Sequence, residues 1–289
     1  MTELELPTKT VSIVIPTYNG KHLLQKHLPA VIACMRPTDE LIIVNDCSAD
    51  QTLEYLSNEY ALSESDEKNV LTGTVGKSNS PVMKVISTEE NVRFAGACNL
   101  GVLLASKDVI FLLNNDVSPK SNVLDFLLPY FDDAECFAVG CKEFEQNEDG
   151  EVSGRNNLWF ERGRFIHSKA RQMTSGETAW VSGGSGLFDK DKWILLGGFD
   201  KRFYPAYWED IDLSFRARKK GWKVLFEEQA VVFHKHESTN LDVFGQTRID
   251  TMSLKNGTKF LLKHVTFHQY LLYLLWKPYW FFKLSHLWF

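Results

Sequence analysis

Short apolar runs alternate with longer amphipathic segments through residues 11–113, and this alternation constrains the fold more than any other feature of the chain. The apolar runs are predicted to be buried strands, at residues 11–16, 40–45, 83–86 and 109–113. The amphipathic segments are predicted to be helices, at residues 21–34, at 95–105 and from a cap at Ser48 or Asp50 to Tyr60. This order predicts an α/β fold with a mainly parallel central sheet flanked by helices.

Two segments depart from this alternating pattern. Residues 61–81 are polar and are predicted to be an exposed insertion, and residues 143–178 are predicted to form hairpins and loops over a site. Three further strands are predicted, at residues 181–188, 222–226 and 231–233. A helix is predicted at residues 209–220, and Gly221 ends it.

The net charge of −5 is unevenly distributed along the chain. All 37 acidic residues precede residue 251, where the net charge is −10, whereas residues 251–289 carry +5 and 11 of the 37 aromatic residues. An acidic body argues against nucleic-acid binding, which requires a basic surface. We therefore expect no nucleic-acid partner, and we predict two parts, a main domain (residues 1–250) and a basic, aromatic C-terminal helical segment (residues 251–289).

Polar segments follow three of the predicted strands. They are Pro-Thr-Tyr-Asn-Gly (16–20), Asn-Asp-Cys-Ser-Ala-Asp (45–50) and Asn-Asn-Asp (114–116). Each is also a common turn or cap sequence when taken singly. Because ligands bind outside the carboxyl ends of the strands in open α/β sheets, the three segments together predict a ligand site.

Six segments occur in the order and at the spacing of a known family. They are Val-Ser-Ile-Val-Ile-Pro-Thr-Tyr-Asn (11–19), Ile-Val-Asn-Asp-Cys-Ser-Ala-Asp (43–50), Asn-Val-Arg-Phe-Ala-Gly-Ala-Cys-Asn-Leu-Gly (91–101), Leu-Leu-Asn-Asn-Asp-Val (112–117), Gly-Gly-Phe-Asp (197–200) and Trp-Glu-Asp-Ile-Asp-Leu-Ser-Phe-Arg (208–216). On these segments the chain resembles the family 2 glycosyltransferases of the GT-A fold, including rhamnosyltransferase-like enzymes of bacterial polysaccharide assembly. No GxGxxG follows the first strand, so a dinucleotide-binding domain is not expected.

The resemblance implies a nucleotide-sugar donor, UDP- or dTDP-linked. Asp46 would accept a hydrogen bond from N3–H of the base, since uracil and thymine both offer that donor. A solvated side chain is the alternative for Arg93. The implied donor-binding residues are Pro16, Thr17, Tyr18, Asn19, Asp46, Arg93, Asn99, Asn114, Asn115 and Asp116.

The resemblance also implies a divalent cation, Mn²⁺ or Mg²⁺, at the diphosphate. Asn114-Asn115-Asp116 stands where the family has its DXD motif, so Asp116 is the implied metal ligand and Asn114 brings no charge. His234 matches the family's second ligand, and His236 is the competing candidate. Carboxylate and imidazole suit Mn²⁺, whereas Mg²⁺ prefers oxygen ligands alone.

The segment Glu209-Asp210-Ile211-Asp212 matches the family's Glu-Asp-x-Asp, in which the second acid is the catalytic base. Asp210 is therefore the implied base of an inverting transfer, and Glu209 its acceptor-positioning neighbour. Acids that merely favour the positive end of a helix are the structural alternative. Tyr207, Trp208, Gly183 and Gly184 are implied sugar or acceptor contacts, with core packing and a turn as their alternatives.

Lysines at four-residue spacing (Lys255, Lys259 and Lys263) predict an amphipathic helix in the C-terminal segment. It either packs on the body or lies on anionic membrane, and the aromatic content favours the membrane. No signal peptide or membrane span is predicted, so we expect a cytoplasmic protein, peripheral on the inner face of the cell membrane, with a glycan or lipid-linked acceptor. A glycoside hydrolase with paired carboxylates and a non-catalytic sugar-nucleotide or glycan-binding module remain alternatives.

Overall fold

The structure, a computed structural model, describes residues 9–75, 81–145, 149–234 and 245–283. His236 lies outside these ranges. In the described chain, twelve strands form one mixed sheet, and two more form a separate hairpin. The helices cover the sheet on both faces, as the alternating pattern predicts.

One half of the sheet is parallel and carries the three polar strand ends. In chain order it contains β1 (Val11–Thr17), β2 (Glu40–Asn45), an antiparallel edge of β3 (Ser63–Glu64) and β4 (Val70–Thr74), β5 (Val82–Ser87) and β6 (Val109–Leu113). The spatial order is β6-β1-β2-β5-β4-β3. Every residue of β1, β2 and β6 is buried, because helices cover both faces of these strands.

The other half of the sheet is mixed. It contains β7 (Val117–Pro119), β8 (Cys136–Phe144), β9 (Val152–Ser153), β12 (Gly176–Glu177), β13 (Ser185–Asp189) and β14 (Lys223–His234). β13 is antiparallel to both β6 and β8, whereas β14 is parallel to β8. The separate hairpin consists of β10 (Asn156–Glu161) and β11 (Arg164–Lys169), within the segment predicted to form hairpins and loops.

Eight helices are described, and the acid pair stands at the start of the sixth. They are α1 (Lys21–Cys34), α2 (Thr52–Glu59), α3 (Arg93–Leu104), α4 (Val123–Leu127), α5 (Lys190–Leu196), α6 (Glu209–Lys219), α7 (Gln246–His264) and α8 (Phe267–Lys283), with 3₁₀ turns at Leu128–Asp132 and Lys201–Phe203. Within the described ranges, no helix combines the length and the apolar composition needed to cross a membrane.

Three local predictions were wrong. Residues 70–74 are not an exposed insertion, because they pair with β5 and bury Val70. The predicted strands 222–226 and 231–233 are one strand, β14, interrupted by a register shift between Glu227 and Val231. Ser48 does not cap α2, since its hydroxyl accepts from the N–H of Asn19; Asp50 accepts from the N–H of Thr52 instead.

Candidate active site

The polar ends of β1, β2 and β6 meet at one edge of the sheet, as predicted. The amide of Asn115 donates to Thr17 Oγ1 over 2.9 Å, which joins the end of β6 to the end of β1. Asn19 joins β1 to β2, because its N–H donates to Ser48 Oγ and its side chain accepts from the N–H of Ala49. These bonds fix the three loops relative to one another, so the edge is held in shape before any ligand arrives.

The residues predicted to hold a nucleotide base border this edge. Pro16 pairs with Val44 inside the sheet, and Tyr18 follows with its ring exposed. Asp46 is buried, and its Oδ1 accepts from Thr88 Oγ1 at 2.9 Å and from the N–H of Val92 at 2.7 Å. Asp46 therefore links β2 to the start of α3 as well as lining the edge.

The two residues predicted on α3 differ in what they offer a ligand. Arg93 starts the helix with φ +64° and is exposed, so its guanidinium can turn toward the edge. Both ends of the Asn99 amide bond the backbone of Phe199, at 2.9 and 2.8 Å. Asn99 therefore fixes the Gly-Gly-Phe-Asp turn. Its amide is bonded to this turn and does not lie at the sheet edge, where a contact with a nucleotide-sugar donor was predicted.

Asp116 and His234 face each other across the ends of β6 and β14. Asp116 Oδ1 lies 3.1 Å from His234 Nε2, but it is buried without a hydrogen-bond partner in the described chain. Behind His234, Nδ1 lies 3.6 Å from Glu143 Oε2. Ser153 and Ser185 donate to the Glu143 carboxylate, so an acid–imidazole–acid row runs from the sheet edge into the core.

The contacts within this row shift the pKa values of His234 and Glu143. Burial alone would lower the pKa of His234, but Asp116 and Glu143 outweigh it and raise the pKa to about 10. Burial alone would raise the pKa of Glu143, but His234 and the serine hydroxyls lower it to about 2. A cationic centre is therefore favoured between the two acids.

Asp116 and His234 fit a divalent cation as part of its ligand shell. The facing atoms are a carboxylate oxygen and an imidazole nitrogen, and a cation held between them would take the place of the proton that the two acids otherwise favour on His234. Among the described residues, no group of three or more His, Cys, Asp or Glu side chains converges as a metal site. Two protein ligands suffice where substrate phosphates and water complete the shell, which is the usual arrangement for Mg²⁺-type sites at phosphates.

The acid pair begins α6 on the same side of the molecule. The N–H of Ile211 donates to Asp210 Oδ1 at 2.8 Å. Burial raises the pKa of Asp210 to about 6, against the opposing hydrogen bonds from the N–H groups of Ile211 and Gly183, and Glu143 adds to the rise. An acid that titrates near neutral pH is suited to act as a general base.

Glu209 is more deeply buried than Asp210, and its Oε2 has no hydrogen-bond partner among the described residues. Burial, and then the neighbouring Asp210, raise the pKa of Glu209 well above its usual value. A neutral carboxyl can donate a hydrogen bond, so Glu209 and Asp210 are chemically different despite being adjacent.

The predicted glycines connect these two groups of residues. Gly184 lies against the Asn114 side chain, and its carbonyl accepts from the N–H of Asn114 at 2.9 Å. The N–H of Gly183 faces Asp210. The pair thus joins the end of β6 to the acid pair.

Trp208 packs in the core, which was the alternative to its predicted contact with a sugar or acceptor. Its ring is buried and lies 5.0 Å from His167 and 5.1 Å from Phe260, between ring centroids. Its face is therefore not free to stack on a sugar. Tyr207, directly before it, is only partly buried and borders the acid pair.

Two functional candidates were missed from the sequence. Glu143 lies near the end of β8, beside Lys142, where an acid is usually a solvent-facing residue, and no local pattern marks it as buried. Asn256 of α7 hydrogen-bonds the loop before the acid pair, and no local pattern connects residues about fifty positions apart.

A parallel sheet edge with a polar rim, a carboxylate–imidazole pair and a buried acid pair is typical of a group-transfer enzyme. The profile of glycosyl transferase family 2 matches residues 12–193, and the chain belongs to this family. It is a glycosyltransferase.

Curated relatives agree with this assignment. The chain is 25% identical over 245 residues to the O-antigen chain rhamnosyltransferase RfbN of Salmonella typhimurium, covering 83% of this chain and 71% of that protein. It is 23% identical over 222 residues to the poly-β-1,6-N-acetyl-D-glucosamine synthase of Staphylococcus aureus, covering 76% of this chain and 48% of that protein. The chain thus spans about half the length of the synthase.

Solved structures share the GT-A fold. GalNAc-T7 with UDP, GalNAc and Mn²⁺ superposes with a TM-score of 0.65 at 18% identity, covering 88% of this chain and 48% of that one. The mannosyltransferase PcManGT of Pyrobaculum calidifontis, with GDP-Man and Mn²⁺, gives 0.62 at 15% identity, covering 93% and 69%.

Proposed function

We propose that this protein is an inverting, cation-dependent hexosyltransferase that moves a sugar from a UDP- or dTDP-sugar to a hydroxyl of a glycan or lipid-linked acceptor. The observation that carries the proposal is Asp210, a carboxyl with a pKa near 6 at the start of α6, on the side of the sheet where Asp116 faces His234. A base and a binding place for a charged leaving group are the two requirements of this reaction.

In the proposed reaction, Asp210 accepts the proton of the acceptor hydroxyl while the hydroxyl oxygen attacks the anomeric carbon. The new glycosidic bond forms as the bond from that carbon to the diphosphate breaks, and the configuration inverts. Above about pH 6 Asp210 is ionised and ready to accept. Glu209, whose pKa is raised by burial and by the neighbouring Asp210, lies beside the base and positions the acceptor.

The donor would bind along the edge formed by Pro16 to Asn19, Asp46 and the segment 114–116. Asp46 accepts from the base, and Arg93 turns toward the diphosphate. When bound to Asp116 and His234, Mn²⁺ or Mg²⁺ would stabilise the negative charge that grows on the leaving diphosphate. Glu143 orients the His234 ring from behind, as acids behind metal-ligating imidazoles commonly do.

The names of the relatives support a nucleotide-sugar donor and a polysaccharide acceptor. RfbN is a rhamnosyltransferase of an O-antigen chain, and the Staphylococcus aureus relative makes a poly-N-acetylglucosamine. Both neighbouring structures hold Mn²⁺ with a nucleotide or nucleotide sugar. We therefore place this enzyme in the assembly of a cell-envelope polysaccharide.

The proposal includes peripheral contact with an anionic membrane through α8. Leu275 and Phe282 are 71% and 76% exposed, and none of its side chains is buried. Lys277 and Lys283 stand among these apolar residues, a combination that suits the interface of an anionic bilayer. The test is sedimentation with vesicles of anionic and of neutral lipids: Leu275→Ser with Phe282→Ser should abolish binding to the anionic vesicles, and unchanged binding contradicts this contact.

The central experiment compares Asp210→Asn with the parent enzyme. A panel of UDP- and dTDP-hexoses, screened by thermal stabilisation with Mn²⁺, first selects the donor. Asp210→Asn should bind that donor normally but lose about 10²- to 10⁴-fold in kcat, the usual contribution of general-base catalysis. The matched control is Asp191→Asn, an exposed acid at the start of α5. An active Asp210→Asn enzyme would overturn the mechanism.

A further inference from the structure

The C-terminal helix α7 reaches the loop that precedes the acid pair through one buried side chain. Asn256 is 2% exposed, and its Nδ2 lies 2.7 Å from the carbonyl oxygen of Phe203, 2.8 Å from that of Ala206 and 3.1 Å from that of Tyr207. An amide nitrogen has only two hydrogens, so it shares them among three acceptors. All the donating capacity of Asn256 is therefore directed at this loop.

The loop needs such support because its backbone is strained. Tyr207 and Trp208 have φ angles of +75° and +77°, in the left-handed region that residues with a Cβ rarely adopt. The strained pair directly precedes Glu209 and Asp210, so its conformation sets the direction in which α6 starts. A relaxed loop would point the acid pair elsewhere.

The rest of α7 is shaped to receive the same loop. The Trp208 ring covers Gly257, where an added Cβ would lie 2.8 Å from Trp208 Cζ2. The indole Nε1 donates to Ser253 Oγ over 3.3 Å. Asn256 thus holds the loop through the carbonyl of Tyr207, and Gly257 makes room for the ring of the next residue, Trp208.

Other residues dock α7 without Asn256. Lys259 Nζ donates to the carbonyl of Arg202, and Lys263 pairs with Asp200 and Asp212, both over 2.7 Å. Phe260 and Leu261 are buried against the body. Asn256 is therefore not needed merely to attach the helix, which leaves the loop as the object of its three contacts.

We propose that Asn256 is a positioning residue for sugar transfer: it holds the strained Tyr207–Trp208 backbone and thereby aims the Asp210 carboxylate at the acceptor hydroxyl. This rests on the proposed function, in which Asp210 is the base. The family profile ends at residue 193, so α7 supplies this support from outside the matched region.

The test replaces Asn256 by leucine, which has a similar shape and no donor, in the full chain. With the donor selected above, release of nucleoside diphosphate in the presence of acceptor should show kcat reduced about 10- to 100-fold. The KM for the donor should stay within about twofold, because all three Asn256 side-chain hydrogen bonds are made to the loop before the acid pair. The control is Lys259→Met, which removes a hydrogen bond from the same helix to the backbone of Arg202 and should leave kcat within about twofold.

An unchanged kcat in Asn256→Leu, or an equal loss in Lys259→Met, overturns the positioning role. If Asn256→Leu is unfolded at the assay temperature, Asn256→Gln keeps the donor but displaces it, and it should lower kcat with the same unchanged KM; normal kcat there overturns the proposal as well. Asp210→Asn is assayed alongside. If that variant is active, the proposed function fails, whereas an inactive Asp210→Asn beside a fully active Asn256→Leu removes only this inference.

Discussion

The two C-terminal helices are neighbours in sequence, but they make different kinds of contact. α7 buries Asn256, Phe260 and Leu261 against the body. α8 buries no side chain, and its contacts with the body are made to the turn of the β10–β11 hairpin. There Trp280 Nε1 donates to the carbonyl of Arg162 at 2.6 Å, and the Arg162 guanidinium lies over the rings of Tyr279 and Trp276.

The two helices differ in the charge of the surface that they face: α7 faces a buried acid, whereas α8 faces arginines. Asp212 is fully buried, and its carboxylate is bonded by Arg216, Lys263 and His264. Two of these three partners, Lys263 and His264, come from α7. The hairpin presents arginines to α8 and therefore offers its lysines no acid to pair with. The lysines of α8 lie near solvent, and its apolar side chains are exposed.

The comparison shows that a basic, aromatic composition does not identify the partner of a helix. The regular lysines predicted one amphipathic helix for a membrane, yet Lys259 and Lys263 bind the body. A basic helix packs on the body where the facing surface carries a buried acid that its lysines can reach. The proposed membrane contact is therefore narrowed from the whole C-terminal segment to α8.

The largest expected effect comes from removing the buried acid that anchors α7. Asp212→Ala leaves Arg216, Lys263 and His264 without their shared carboxylate, and breaking one partner of a buried ion pair costs about 3–5 kcal/mol. Urea unfolding should show this loss. The control Glu54→Ala removes an exposed acid from α2 and should cost less than about 0.5 kcal/mol. A loss below about 1 kcal/mol in Asp212→Ala would mean that α7 is held chiefly by its apolar side.

Acid should loosen α7 in the same way. Burial opposes it, but His264, Arg216 and Lys263 hold the pKa of Asp212 below its usual value, and Arg202 and Lys263 do the same for Asp200. A depressed carboxyl pKa stabilises the fold above the unfolded value of about 3.9, and this stability is lost as the pH falls toward the folded value.

We therefore expect about 1 kcal/mol to be lost from the free energy of unfolding between pH 5.5 and pH 3.5, measured in urea. Asp212→Ala has already lost one of these carboxylates and should show a smaller decrease over the same range. Equal decreases in the two proteins would assign the acid sensitivity to other carboxyls.

The sheet and its polar edge were predictable because they depend on local patterns. Buried parallel strands are continuous apolar runs, and Asn19, Asp46 and Asn115 follow such runs directly. The carboxyl ends of parallel strands lie at the same edge of the sheet, regardless of the length or conformation of the loops between the strands. Convergence therefore follows from the pattern, although the role of each side chain does not.

What could not be predicted depends on contacts between distant segments. Glu143 is a buried acid only because His234 and Ser185 face it from other strands. Trp208 beside an acid pair has the same sequence signature whether it stacks on a sugar or packs on Gly257. Asn99 was predicted to contact a ligand, and its hydrogen bonds with the backbone of Phe199 depend on tertiary structure alone.

The contact between α8 and the hairpin can be tested at a single glycine. Gly163 has φ +76°, and a Cβ there would lie 2.6 Å from Tyr273 Cα. Gly163→Ala should cost about 1 kcal/mol for the backbone conformation and should also push α8 from the hairpin. Gly197 has φ +77° with no atom within 4 Å of an added Cβ, so Gly197→Ala carries the backbone cost alone. Faster proteolysis of α8 in Gly163→Ala than in Gly197→Ala would show displacement, and equal rates would contradict this contact.

The smallest effect on stability should come from deleting residues 265–289. Because α8 buries none of its side chains, little apolar surface is returned to water when the chain unfolds without it. The free energy of unfolding in urea should change by less than about 1 kcal/mol, and the denaturant slope should fall only slightly. A loss approaching that of Asp212→Ala would mean that α8 supports the fold as α7 does. In that case its exposed leucines and phenylalanines could not be assigned to membrane contact from exposure alone.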